Sequence, residues 1–408
     1  MSPAARLVGA LALVGLALAP ARAEDDKDPV FDGQKVSVWI DTVQKDASAR
    51  KRSLAVEALG KIWIAHKHKD VLPNVGRALR VDPSAAVRAQ AAIVLGGLKA
   101  DEIKYGSADL LTALGNEKES RVRKEIITAM AKFPEVCALG LEPLITALKD
   151  PEPAVKVAAA EAIALAGAQV KAMAKSAAPE LVPLLKDPEK SVRVAAVYAL
   201  GRIQPEGAST VAETMAAMLG TEKDADMKRE LIASMGLLAE KSEVVVRALA
   251  AAIDEKEPDE VRRAAARTLG TFGTDAGLAA EALFKALTTD KVKDIRVDAV
   301  RAFGSALGPA GVKGRLKDLR PQLDPAKQPD FEVRLALVDE IGALGYEFIG
   351  ADLTSPDKGA KAEALETLGA LRARQADPQV KVREAAAFAV RKVEKKPDPK
   401  KEPDKKEP

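Results

Sequence analysis

Cysteine and histidine are almost missing from this 408-residue chain, and neither sign of charge prevails. The one cysteine, Cys137, cannot form a disulfide within the chain. If the chain is exported, its stability must therefore come from its own apolar core. Cys137 sits between Val136 and Ala138-Leu139, the setting of a small buried hydrophobe. The two histidines, His66 and His68, lie two residues apart and so do not share a helix face; lysines follow both. No H-E-x-x-H, C-x-x-C, G-x-S-x-G, Walker A or G-x-G-x-x-G run is present. That removes the compact signatures of zinc peptidases, thiol redox centres, serine hydrolases and nucleotide binders. Lys and Arg number 63 against 60 Asp and Glu. A chain so balanced has no global field to steer it onto nucleic acid or an anionic membrane.

The ends differ from the middle. Arg6 precedes the apolar run Leu7 to Ala19, Pro20 breaks it, and Ala21-Arg22-Ala23 has the small-x-small form of a signal peptidase site. Thirteen apolar residues are too few for a bilayer, which takes about 20. We therefore expect residues 1–23 to be a signal peptide, with a mature chain starting at Glu24 that is periplasmic or secreted and has no stable membrane insertion. No cysteine follows the run, so no bacterial lipid anchor is expected. Residues 24–32 are expected to be a linker. From Glu394 the sequence reads EKKPDPKKEPDKKEP, without an apolar side chain. Such a segment cannot offset its ordering entropy, so 395–408 is expected to be a disordered tail.

What fills the middle is one pattern, V-R-x-x-A-A-x-x-L-G. It is clearest at Val87 to Gly96, Val192 to Gly201 and Val261 to Gly270. Anchored on its first position it recurs at Lys51, Val87, Val122, Val155, Val192, Met227, Val261, Ile295, Val333 and Val382. The steps run from 33 to 38 residues until the last, which is 49. A period of this size means a solenoid in which each unit buries its apolar face against its neighbours. Apolar residues at offsets 0, 4, 8 and 11, as in Val192, Ala196, Leu200 and Ile203, share one helix face. A second apolar stretch precedes each, as in Leu141, Leu144, Ile145 and Leu148. Asp-Pro pairs such as Asp82-Pro83 and Asp187-Pro188 mark the turn between the two. An acid stands six residues before the offset-1 basic residue in eight of ten repeats. We read that pairing as a tie within or between repeats, because a feature present in nearly every unit serves the architecture. Glycine at offset 9, from Gly60 to Gly342, implies close helix approach.

These units resemble HEAT repeats, in particular the bacterial subclass named after phycobilin lyases, through the D-P turn, the V-R pair and the A-A-x-x-L-G run. The resemblance spans 33–394 and implies an all-α solenoid, a right-handed superhelix of about ten antiparallel helix pairs. It also implies that the second helix of each pair lines the concave side. Deoxyhypusine hydroxylase, an enzyme of this repeat class, builds a di-iron site from several His-Glu pairs; two histidines do not supply them. We expect no enzyme activity, cofactor or metal. The expected role is an exported scaffold for a protein partner, the alternatives being a lyase-like or accessory subunit of an envelope enzyme complex, or structural packing in the envelope.

A partner is best sought where repeats differ. Offsets 2 and 6 lie opposite the buried face. There Arg229, Arg263, Arg267 and Arg301 fall on three successive repeats, with Tyr198 one repeat earlier. Arg with Tyr is the composition of interface hot spots, so these residues form a candidate basic ridge for an acidic protein segment. Tyr346 and Phe348, in the longer loop that stretches the last step, form a second candidate. Trp39 and Trp63, in the first repeat, are expected to pack or cap the solenoid end.

Overall fold

Each copy of the repeated run lies in the second helix of a helix–turn–helix pair. The computed structural model describes residues 28–169 and 175–395. The expected signal peptide, residues 24–27 of the expected linker, and residues 396–408 of the expected tail lie outside the described residues. The chain forms two compact units, Met1–Ala129 and Met130–Pro408.

In the first unit α1 (Val36–Lys45) pairs with α2 (Ala49–His66), and α3 (Val71–Val81) with α4 (Ala85–Leu95). There α5 (Ser107–Asn116) precedes α6 (Ser120–Met130), whose last residue opens the second unit. After the short α7 (Pro134–Leu139), the second unit continues with α8 (Leu141–Ala147) and α9 (Pro153–Gln169), then α10 (Ala178–Leu184) and α11 (Lys190–Ile203). Next come α12 (Ala208–Thr221) with α13 (Ala225–Leu238), and α14 (Glu243–Ala251) with α15 (Asp259–Phe272). The last pairs are α16 (Ala280–Thr289) with α17 (Lys293–Gly314), α18 (Leu316–Leu319) with α19 (Phe331–Ala343), and α20 (Lys358–Ala373) with α21 (Val380–Glu394). The expected ten pairs are all present among the described residues.

Every anchor except Lys51 is buried. Lys51, in the first repeat, is exposed. Successive second helices pack directly, α2 on α4 in the first unit and α9, α11, α13, α15, α17, α19 and α21 in turn in the second. The offset-9 glycines lie in these contacts. A Cβ on Gly201 would stand 2.8 Å from the Ser234 Cβ, and one on Gly342 would stand 2.5 Å from the Ala389 Cβ. The glycines are thus packing positions, as their spacing implies.

In most repeats the offset-1 arginine does two things at once. Through one guanidinium nitrogen it donates to the carbonyls of its own turn, as Arg88 does to Asp82 O at 2.8 Å and Arg334 to Gln328 O at 2.6 Å. Through its other nitrogens it grips the turn acid of the next repeat. Arg52 holds Asp82 at 2.7 and 2.9 Å, and Arg88 holds Glu117 at 2.7 and 2.9 Å. In the second unit Arg262 holds Asp290 at 2.8 and 3.1 Å, and Arg334 holds Asp377 at 2.9 Å with both nitrogens. Lysine makes the same link, Lys156 to one oxygen of Asp187 at 2.8 Å and Lys228 to both oxygens of Glu257 at 2.6 Å. The acid's other role is local: Asp82 accepts from Ser84 N–H and Asp377 from Gln379 N–H. Where position −6 is not acidic, at Lys256 and Gln328, the acids Glu257 and Asp330 one and two residues later take the link. The Asp330 link is single, and the Arg296 Nε is left without a partner.

Two expectations are corrected. Val30 and Phe31, placed in the linker, form β1 (Val30–Phe31), which pairs antiparallel with β2 (Gln34–Lys35). Asp32 and Gly33 both have positive φ, the geometry that closes a two-residue hairpin, and Asp28 accepts from the Ser37 amide and hydroxyl at the start of α1. The segment after Gly345 is not an irregular loop: Tyr346–Gly350 is a π-helical turn and Ala351–Thr354 a 3-10 turn. These turns are tight because Gly350 lies against Val393 O and the Tyr346 ring, with no room for a Cβ.

Cys137 is fully buried and its thiol donates to Met130 O at 3.2 Å. Burial, then the Glu135 charge, pushes that thiol up to about 12, so we expect no reaction with a thiol-specific reagent at pH 8 until the chain is unfolded. Labelling of the native protein at a rate matching the unfolded one would contradict this burial.

The Arg334–Asp377 pair is the most enclosed link, with side chains 3% and 0% exposed. Burial alone would raise the Asp377 carboxyl, but Arg334 and the Gln379 N–H outweigh it and hold it below its ordinary value. The stability it supplies is present above the ordinary carboxylate range and is lost as pH falls through the lowered pKa. Arg334→Met is expected to cost about 3 kcal/mol at neutral pH, because it leaves the buried Asp377 charge with only the longer Arg374 contact at 3.6 Å, and adding Asp377→Leu should return part of the loss. Urea midpoints of Arg334→Met, Asp377→Leu and the double variant check this; a double variant as unstable as the sum of the singles would refute it.

Candidate functional site

The second helices that make the repeat core also present a face away from it. On α9, α11 and α13 that face forms a groove of about 700 Å³. Local signals hold its walls. Pro153 starts α9, and Asp224 caps α13 by accepting from Met227 N–H at 2.9 Å while gripping Lys190 of α11 at 2.6 Å. That ammonium, then the Met227 N–H, holds the Asp224 carboxyl below its ordinary value. The close approach of Gly201 to Ser234 joins α11 to α13.

Val194 and Tyr198 of α11 form the floor, with Val157 and Leu165 of α9 beside them; the last is 40% exposed. Tyr198 is half-buried, and the Arg202 guanidinium lies 5.2 Å from its ring centre. Glu161 on one wall and Glu230 on the other complete it. Glu230 accepts from the Ser234 hydroxyl at 3.3 Å. Neither glutamate has an ion-pair partner among the described residues, whereas Asp226 at the rim is paired with Arg229 at 2.7 Å.

The four arginines do lie on successive second helices, but not as an open basic field. Arg263 and Arg267 both donate from Nε to Asp298, each at 2.8 Å, and Arg263 also meets Asp294 at 3.1 Å. Arg229 meets Asp226, and Arg301 faces the acids Asp339 and Glu340. The expected ridge is therefore a set of cations each balanced by carboxylates, although Arg267 is still 58% exposed. Offsets 2 and 6 of one helix face offset 3 of the next, where Asp298 stands, a pairing across repeats that a single-helix projection does not show. Tyr346 and Phe348 are half-buried in the π-helical turn that packs against α21 and do not join the Tyr198 groove. Trp63 is buried, donating to Glu102 at 3.1 Å, and Trp39 donates to Phe31 O at 3.0 Å, so both pack the first unit as expected.

The valines of the groove carry one signal in the sequence. The offset-2 column is apolar at Val157 and Val194 and turns basic at Arg229 and Arg263. Two successive valines on a face opposite the core mark an apolar seat. No group of three or more His, Cys, Asp or Glu among the described residues could hold a metal ion.

One titrating group stands out nearby. Burial, then the Asp339 charge, pushes the Glu340 carboxyl up to about 7 against the pull of Arg301. Its carboxylate occupies the space that a Cβ on Gly304 would fill. The folded state thus binds a proton that the unfolded state releases near its ordinary value of 4.5. Stability attributable to this group falls as pH rises from there to about 7. Glu340→Gln is expected to raise the melting temperature progressively across that window, with little effect at pH 4. A pH-independent difference in thermal melts would show that Glu340 does not titrate this way.

A family profile for HEAT repeats matches residues 36–131, 141–236 and 213–304, more than half of the chain. No curated protein matches the sequence. Among solved structures, an engineered protein aligns at 17% identity over 88% of this chain and 99% of its own, with a TM-score of 0.60. Importin beta, crystallised in an ammonium sulfate condition, aligns at 14% identity over 88% of this chain, with a TM-score of 0.54. The chain spans about half the length of that protein, 51%. At these identities the likeness is one of fold.

Proposed function

The chain belongs to the HEAT-repeat family, and on that premise we propose that it is an exported scaffold that seats a protein partner on the face built by its second helices. Stacked repeats typically serve as binding surfaces because their outward positions vary while the core stays constant. The observation that carries the reading is the Tyr198 groove, where an aromatic and three aliphatic side chains stand at solvent-facing positions. An amphipathic aromatic ring over such a floor is the usual anchor of an interface. Export is supported by the sequence of residues 1–23 and remains part of the proposal, as does membership of the phycobilin-lyase-like subclass, which rests on the D-P turn and V-R pair. An acidic partner segment on the arginines would have to compete with Asp298 for Arg263 and Arg267. That competition favours Tyr198 as the centre of the seat, with Arg229 at its edge and the other arginines beyond.

Cross-linking pull-downs from envelope extract of the source cells test this reading with three baits: residues 24–408, the same chain with Tyr198→Glu, and the same chain with Arg229, Arg263, Arg267 and Arg301 all changed to Glu. We expect a partner captured by the first bait to be lost with Tyr198→Glu, circular dichroism confirming that the variant is folded. Loss with the arginine variant alone would move the seat to the ridge, and equal capture by all three would remove it from this face.

A further inference from the structure

The groove has a chemistry of its own, which narrows what can occupy it. Its floor is aliphatic and aromatic, and its walls carry Glu161 from α9 and Glu230 from α13 on opposite sides of Tyr198. The cations within reach are already engaged. Lys190 is held by Asp224 at 2.6 Å, Arg229 by Asp226 at 2.7 Å, and Arg202 lies over the Tyr198 ring. Glu161 and Glu230 are the wall carboxylates with no ion-pair partner among the described residues. An apolar floor between two uncompensated carboxylates repels an anionic occupant, and it favours one that brings its own positive charge.

We propose that the groove binds a cationic amphipathic segment of a partner protein. An aliphatic side chain of that segment rests on Val157, Val194 and Tyr198, and lysine or arginine side chains on either side of it reach Glu161 and Glu230. This deepens the scaffold reading and rests on it. It also reverses the partner charge that the arginine columns suggest from sequence. The aliphatic contact supplies most of the affinity by removing apolar surface from water. The paired charges select sign and orientation and make binding weaken with salt, because the wall carboxylates are partly exposed.

Fluorescence anisotropy on the full mature chain tests this with three labelled peptides of equal length: leucine–lysine, leucine–glutamate and serine–lysine. The leucine–lysine peptide should bind, and roughly tenfold more weakly to Tyr198→Ala and to the Glu161→Lys, Glu230→Lys double variant. The other two peptides should bind weakly to the wild type, and thermal melts confirm that the variants are folded. Tyr198-dependent binding of the leucine–glutamate peptide at equal or higher affinity would overturn the cationic assignment while leaving the groove as the seat. Serine–lysine binding as tight as leucine–lysine would overturn the apolar anchor. Leucine–lysine binding that neither variant weakens, or its absence, would overturn the proposal; the pull-down then decides separately whether the groove is a seat at all.

Discussion

The fold depends on one ionic link that recurs in most repeats of each unit, the basic residue at offset 1 reaching the turn acid of the next repeat. Apolar contacts between second helices supply most of the cohesion, but apolar attraction has no direction. The ion pair has one. A bidentate guanidinium fits a carboxylate in one geometry, and its remaining nitrogen is held by the carbonyls of its own turn. Each bidentate link, at Arg52, Arg88, Arg262 and Arg334, therefore fixes the offset between successive turns to within a hydrogen bond. The same acid also accepts from an N–H two residues on, as Asp82 and Asp377 do, so the turn and the inter-repeat contact are set together. Enclosed as they are, these pairs need both partners, since either charge alone would be buried without compensation.

That division of labour leaves the outward positions of the second helices unconstrained, and there the repeats diverge. Val157, Val194 and Tyr198 form an apolar floor on two helices, while two repeats later the same columns carry Arg263 and Arg267 paired with Asp298. One scaffold thus presents an apolar, acid-walled groove next to a charge-balanced stretch. The difference needs no change in backbone, because only side chains opposite the core are altered. Gly201 allows α11 and α13, two of the helices that line the groove, to approach closely.

Departures from the repeat have local causes. The 49-residue last step is taken up by helical turns at Tyr346–Gly350 and Ala351–Thr354. They tuck the extra residues against α21, where Gly350 admits a contact with Val393 O that a side chain would block. The Gly304 position accepts the Glu340 carboxyl in place of a small side chain, and the resulting burial is what moves that carboxyl toward neutrality.

The sequence by itself determined the helix pairs, the buried anchors, the glycine contacts, the burial of Cys137 and the existence of an acid–base column. All of these follow from periodicity and local chemistry, which are properties of one helix or one turn at a time. Only the tertiary structure decided which acid each basic residue meets, because pairing crosses from one repeat to the next and depends on the offset between neighbouring helices. For that reason Arg263 and Arg267, which look like an open cationic surface on a single helix, prove to share Asp298. For the same reason Val157, Val194 and Tyr198, from two different repeats, form one groove with Glu161 and Glu230 on either side.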